Sequence, residues 1–123
     1  MSHWRSERGA AAVEFALVLP VLMTLLLGVI EFGHYFNVQI SATHAAREAA
    51  RSMSVTGNWT TAEQAARTAS PSLKQSLVTV SRVPAACAPG ATVAVTVTYD
   101  YDSYTGIVKD VDVLGKAAQR CGG

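Results

Sequence analysis

Apolar side chains run almost unbroken from Ala10 to Ile30, where only Glu14, Pro20, Thr24 and Gly28 interrupt aliphatic and aromatic residues. As a helix rising about 1.5 Å per residue, this run extends roughly 30 Å, the thickness of a bilayer core. It predicts a membrane-spanning helix, with Pro20 removing one backbone bond inside it. Just beyond, Glu31, Phe32, His34, Tyr35 and Phe36 put aromatic rings where a headgroup layer would begin. From Asn37 to Ser54 there is neither proline nor glycine and alanine is frequent, so the helix is expected to continue. His44, Arg47, Glu48 and Arg51 recur at three- and four-residue spacing and share one charged face. Ala42, Ala45, Ala46, Ala49, Ala50 and Met53 make the rest small and apolar. Small residues permit close approach, either to the protein's own sheet or to a neighbouring subunit. Gly57 and Asn58 end this helix.

The remainder alternates more quickly. Thr60 with Glu63 has the capping-box spacing and predicts a short helix over residues 61–69, closed by Ser70 and Pro71. Residues 77–83 are β-prone, with Val78 and Val80 alternating against Thr79 and Ser81. Residues 84–90 form a loop that carries Cys87. Residues 92–101 are the clearest strand: Val93, Val95, Val97, Tyr99 and Tyr101 face one way, and Thr92, Ala94, Thr96, Thr98 and Asp100 the other. Residues 107–114 predict a weaker third strand or a packed loop, and residues 116–120 a terminal helical turn leading to Cys121. The pattern is α+β: a long N-terminal transmembrane helix, extending into a small head with a short helix and a two- to three-stranded antiparallel sheet.

Charge adds orientation. Arg5 and Arg8 outweigh Glu7 before the apolar run, so the N-terminus is expected in the cytoplasm and the head on the far side. No small-x-small cleavage site followed by a polar mature sequence is visible after the run, so it is expected to stay as an anchor. A carboxylate at Glu14 costs a few kcal/mol at the centre of a membrane helix and less near its end. Such a cost calls for a partner, the alternative being a shallow Glu14 solvated by headgroups.

Gly9 before Ala10, Glu14 at the fifth place after that junction and a long apolar helix look like a type IV-type prepilin leader. The fuller string RGAAAVEFALVLPVLMTLLLGVIEFGHYFNVQISATHAAREAAR, from Arg8 to Arg51, resembles the TadE-like minor pilins, or pseudopilins, of tight-adherence (Flp) pilus systems. Ordinary type IV pilins usually carry Phe-Thr-Leu-Ile-Glu after the junction, and this chain does not. The resemblance implies that a membrane-embedded aspartyl prepilin peptidase cuts between Gly9 and Ala10. Glycine suits that position because the backbone can extend and approach catalytic carboxylates without steric cost. The cut would leave the Ala10 amine roughly 6 Å along the axis from Glu14, which can neutralise it on the same or a neighbouring subunit. A charge pair of that kind fixes the axial stagger of packed helices.

Two cysteines remain, Cys87 and Cys121, both in the exported part. Only about 70 residues are left for the head, a size at which staples or partners are expected. A disulfide between them would close a loop of about 35 residues and add roughly 3–4 kcal/mol. Two free thiols and a metal site are the alternatives. Without a Cys-x-x-Cys or a nearby histidine, the disulfide is the reading preferred.

Catalytic chemistry is nearly absent from the pattern. His3, His34 and His44 neighbour no plausible nucleophile. There is no phosphate loop or dinucleotide fingerprint. Asp100, Asp102, Asp110 and Asp112 lack the glycine and closing glutamate of a calcium loop and read as solvated strand-end carboxylates. Asn58-Trp59-Thr60 fits a glycosylation triplet that often arises by chance. With a net charge of +1 and scattered basic residues, nucleic-acid binding is not expected.

The expected organisation is a leader over residues 1–9, a transmembrane helix over 10–31, a helical extension over 32–56 and a small α+β head over 57–123. The expected function is that of a minor pilin-like, non-enzymatic membrane protein that primes, caps or joins a tight-adherence pilus. Its expected partners are a prepilin peptidase, other pilins, the assembly platform and the lipid bilayer, with no cofactor, metal, nucleic acid or small-molecule substrate. The competing reading is a membrane-anchored accessory protein of the assembly or secretion machinery that never enters a filament. Either way the expected location is the bacterial cytoplasmic membrane, single-pass.

Overall fold

The structure, a computed structural model, describes residues 3–122, with side chains from Ser6 to Gly122. Met1, Ser2 and the side chains of His3 and Arg5, on which part of the leader and orientation reading rests, lie outside the described residues. The element order is α1 (His3–Thr56), α2 (Trp59–Ala69), a 3-10 turn (Gln75–Leu77), β1 (Val78–Val83), β2 (Thr92–Asp100) and β3 (Asp112–Arg120). Two compact units emerge, Met1–Gly33 and His34–Gly123.

The first unit is the apolar stretch of α1. Its large side chains from Val13 to Ile30 are exposed, and no part of the most apolar window is buried in the chain. By its length and composition this helix is long and apolar enough to cross a membrane. It passes through Pro20, whose carbonyl accepts the Thr24 hydroxyl at 2.8 Å.

The second unit is a two-layer head. Its sheet has the order β1-β2-β3, all antiparallel, with Val80 opposite Val97 and Val97 opposite Gly115. The alternation in β2 is realised: Val93, Val95, Val97 and Tyr99 are buried while Thr92, Ala94 and Asp100 are exposed. The distal part of α1 covers that inner face. Ala42, Ala45, Ala46, Ala49 and Ala50 are at most 1% exposed and Met53 2%, in one cluster with the sheet valines. Of the two roles open for the alanine face, covering the head's own core is therefore the one it fills. The approach is close: a Cβ on Gly115 would collide with the Ala42 carbonyl group. His44, Arg47 and Arg51 point away and are exposed.

Three local expectations are corrected. α1 ends on Gly57, at φ 65° with its N–H on the Met53 carbonyl at 2.9 Å, but Asn58 opens the next helix instead of closing this one. The Asn58 side-chain oxygen accepts the Thr61 N–H at 3.2 Å, so α2 begins at Trp59 and the expected Thr60–Glu63 capping box is not formed. Glu63 instead pairs with Arg67 one turn on, at 3.1 Å. The third strand is Asp112–Arg120, not 107–114, and the expected terminal helical turn over 116–120 is part of it. Helix propensity over five residues cannot outweigh the cost of starting a helix, whereas the free edge of β2 offers ladder partners to the whole segment.

The end of the chain is then stapled. Cys87, in the β1–β2 loop, is disulfide-bonded to Cys121, just after β3, with Cα atoms 5.5 Å apart. Backbone bonds flank the bridge: Cys121 donates to the Ala91 carbonyl at 2.7 Å and Gly90 to the Cys121 carbonyl at 3.1 Å. The Gly122 N–H reaches the Ser54 carbonyl at 3.2 Å, tying the C-terminus to the last turn of α1.

Candidate functional site

Gly9, Ala10 and Glu14 all lie within α1 and are exposed. Among the described residues, nothing stands within 4 Å of where a Gly9 Cβ would be, so no packing among them requires glycine at that place. The same open space surrounds Gly28 and Gly33.

A second constellation, unforeseen from the residues, sits at the other end of the sheet from the disulfide. Asp102, just past β2, accepts the Tyr99 hydroxyl at 2.7 Å and forms an ion pair with Lys74. His34 Nε2 donates to the Asp102 backbone carbonyl at 3.0 Å and lies 3.8 Å from its Oδ1. The His34 ring stacks on Tyr104 with centroids 3.8 Å apart and meets Tyr101 at 5.3 Å. Tyr35 closes the group with an edge contact to Tyr101 at 5.4 Å. Asp102 is thus no solvated strand-end carboxylate: it joins the loop after β2, the turn before β1 and the first residue of the head on α1.

The electrostatics follow from these contacts. Burial, aided by the hydrogen bond to Asp102, pushes the Tyr99 hydroxyl up to about 12. Burial also works to raise Asp102, but the hydrogen bonds from Lys74 and Tyr99 and the Lys74 charge outweigh it, holding the carboxyl below its ordinary value. The group is a brace. Tyr99 stays neutral, Asp102 stays ionised, and His34 spends its Nε2 proton on a backbone carbonyl.

An open groove of about 750 Å³ runs between α1 and α2, lined by His44, Glu48, Thr61, Gln64 and Thr68. Among the described residues, no three of His, Cys, Asp and Glu come together in a group that could hold a metal ion.

Comparison with known families decides which of these places carries the resemblance. Residues 9–51 match the family described as TadE-like protein. The TadE-like segment starts at Gly9, takes in Glu14 and the whole apolar run, and stops at Arg51, so it leaves out α2, the sheet and both cysteines. It ends within the alanine-faced part of α1 that packs on the sheet. No curated protein and no solved structure matches the chain.

Sequence reasoning missed the Asp102 group because its members are far apart. His34 and Asp102 are 68 residues apart along the chain. One signal was present: Tyr99 and Tyr101 bracket the strand end on the face assigned to the core, and a buried tyrosine hydroxyl needs a partner.

Proposed function

We propose that this chain is a minor pilin-like membrane protein of a tight-adherence pilus, acting in assembly and not in catalysis. Its N-terminus would be cytoplasmic, its head extracytoplasmic, and its leader removed between Gly9 and Ala10 by a prepilin peptidase. Glu14 would pair with the freed amine, on the same or a neighbouring subunit, and set the stagger of packed helices. The observation that carries this reading is the TadE-like match itself, which opens on Gly9 and encloses Glu14 and an apolar helix left uncovered by the rest of the chain. N-terminal sequencing of the protein extracted from membranes of cells with an active prepilin peptidase tests it: the expected terminus is Ala10, and an intact Met1 or Ser2 terminus overturns it. Gly9→Leu should leave the protein nine residues longer by the same measurement.

The accessory reading has one observation on its side. The alanine face that a filament contact would use is buried in the chain's own head. Sheared pili separate the two: a filament subunit is recovered in them, and an accessory protein stays with the membrane.

A further inference from the structure

The sheet of the head is covered on one face only. Helical residues close the inner face over Val93, Val95, Val97 and Val113, all 0% exposed. On the outer face no position is buried among the described residues. Its middle is made of Ser81, Ala94, Thr96, Thr98 and Ala118, none longer than threonine, so another flat surface can come close. Leu114 lies beside Thr98 on this face and is 44% exposed. We propose that the outer face is a self-association surface, on which the outer face of a second copy packs with its strands reversed. The inference rests neither on a role in a pilus nor on the apolar run.

Charge complementarity selects a second copy. The face carries Asp100 and Asp112 at one end, Arg120 at the other and Lys116 between them on the edge strand, all exposed. None of these charges has an ion-pair partner among the described residues. Asp100 stands directly opposite Asp112 across the ladder, and like charges so placed are destabilising. A cation from outside the chain would relieve them. The face supplies one itself, because Arg120 closes the far end of the same strand as Asp112.

A two-fold axis across the strands, level with Thr96, makes the contact self-complementary. Asp112 of one copy then comes over Arg120 of the other, with Asp100 beside the same guanidinium, and the exchange is repeated at the opposite end. Leu114 comes over Ala118, and Thr96 over its own counterpart. Lys116 is near the axis, but on an edge strand its long stem lets the amine turn out to water. Such aligned packing of two sheets needs only the small twist between them that sheets ordinarily show. Strands about 4.8 Å apart and up to nine residues long give each copy a footprint of roughly 400 Å². That is at the low end for a specific contact, so the pair is weak and dependent on concentration and salt.

The test uses the full chain in detergent. Thr96→Cys and, on α2 as a control, Thr61→Cys are made one per sample, and a short bismaleimide is added at rising protein concentration. The native cysteines are bonded to each other and do not compete. Dimer yields are divided by the extent of reaction with a monofunctional maleimide. Thr96→Cys should give severalfold more covalent dimer than Thr61→Cys, and added salt should lower it. Two charge variants are then built on Thr96→Cys: Arg120→Asp, with both ends of the face acidic, and Asp100→Lys with Asp112→Lys, with both ends basic. Each alone should lose the dimer, and an equimolar mixture should regain it. Equal yields at the two cysteines overturn the proposal, as does a Thr96→Cys dimer that the charge variants leave unchanged. Loss in both variants without recovery on mixing overturns it too, because opposite faces would then fail to recognise each other.

Discussion

At the scale of single residues, two positions carry more than their size indicates. Gly115 lies in β3 against the backbone of Ala42, where even a methyl group has no room. Neither partner is the loose end of a side chain, so the strain must be taken up by moving α1 off the sheet. Gly115→Ala should therefore destabilise the head by roughly 3 kcal/mol, the upper part of the usual range for overpacking. Denaturant unfolding of the full chain in detergent, followed by tyrosine near-ultraviolet dichroism, measures this, and an unchanged midpoint would contradict it. Asp102 and Tyr99 set the pH limits of the same head. The Asp102 carboxyl is depressed when folded, so its contribution is present above the unfolded value of about 4 and is lost as pH falls through the lower folded value. Tyr99 is raised to about 12, so its contribution is complete below about 10 and is lost as pH climbs towards 12. Asp102→Asn should flatten the acid limb of a stability–pH curve and leave most of the alkaline limb, because burial is the largest cause of the Tyr99 shift.

At the scale of elements, the staple and the third strand act together. β3 is an edge strand, exposed along most of its outer side, and its last residues would fray if only the ladder held them. The bond from Cys121 to Cys87 links that end to the β1–β2 loop across a separation of 34 residues. A loop of that length is worth about 3–4 kcal/mol by the entropy of the unfolded chain. Replacing both cysteines by serine should cost about 3 kcal/mol in the same unfolding measurement and raise hydrogen exchange first in residues 116–122. Alkylation without reductant should find no free thiol in the protein, and ready labelling of both sulfurs would count against the staple. The aromatic brace at the other end of the sheet should be unaffected.

At the scale of the whole molecule, the chain separates a helix with no cover of its own from a head that closes its own core. The uncovered helix carries Glu14 near one end, and a carboxylate there is a burden unless it is used. Glu14→Gln keeps the size and removes the charge. On the proposed pilin reading, insertion and steady-state amount should be unchanged or improved, while piliation or crosslinking to pilins should fall, because in that reading the Glu14 charge distinguishes one stagger from another. Full piliation and undiminished crosslinking in that variant would favour the accessory reading.

Much of this protein was legible one segment at a time. An apolar run long enough for a bilayer, a two-residue alternation in β2 and an alanine face at helical spacing each report burial through a local period, and each reappears in the structure. The pairing of Cys87 with Cys121 was legible because two cysteines permit a single intramolecular bridge. What the alanine face packs against was not legible, since small residues suit a sheet and a neighbouring helix equally. Only the tertiary structure decides that, by setting Gly115 under Ala42. The same holds for β3, where five residues with good helix propensity become strand because β2 has an open edge, and for Asp102, whose partners Lys74 and His34 come from remote segments. Local period says which side of an element is dry; which partner makes it dry depends on contacts distant along the chain, which no window of sequence contains.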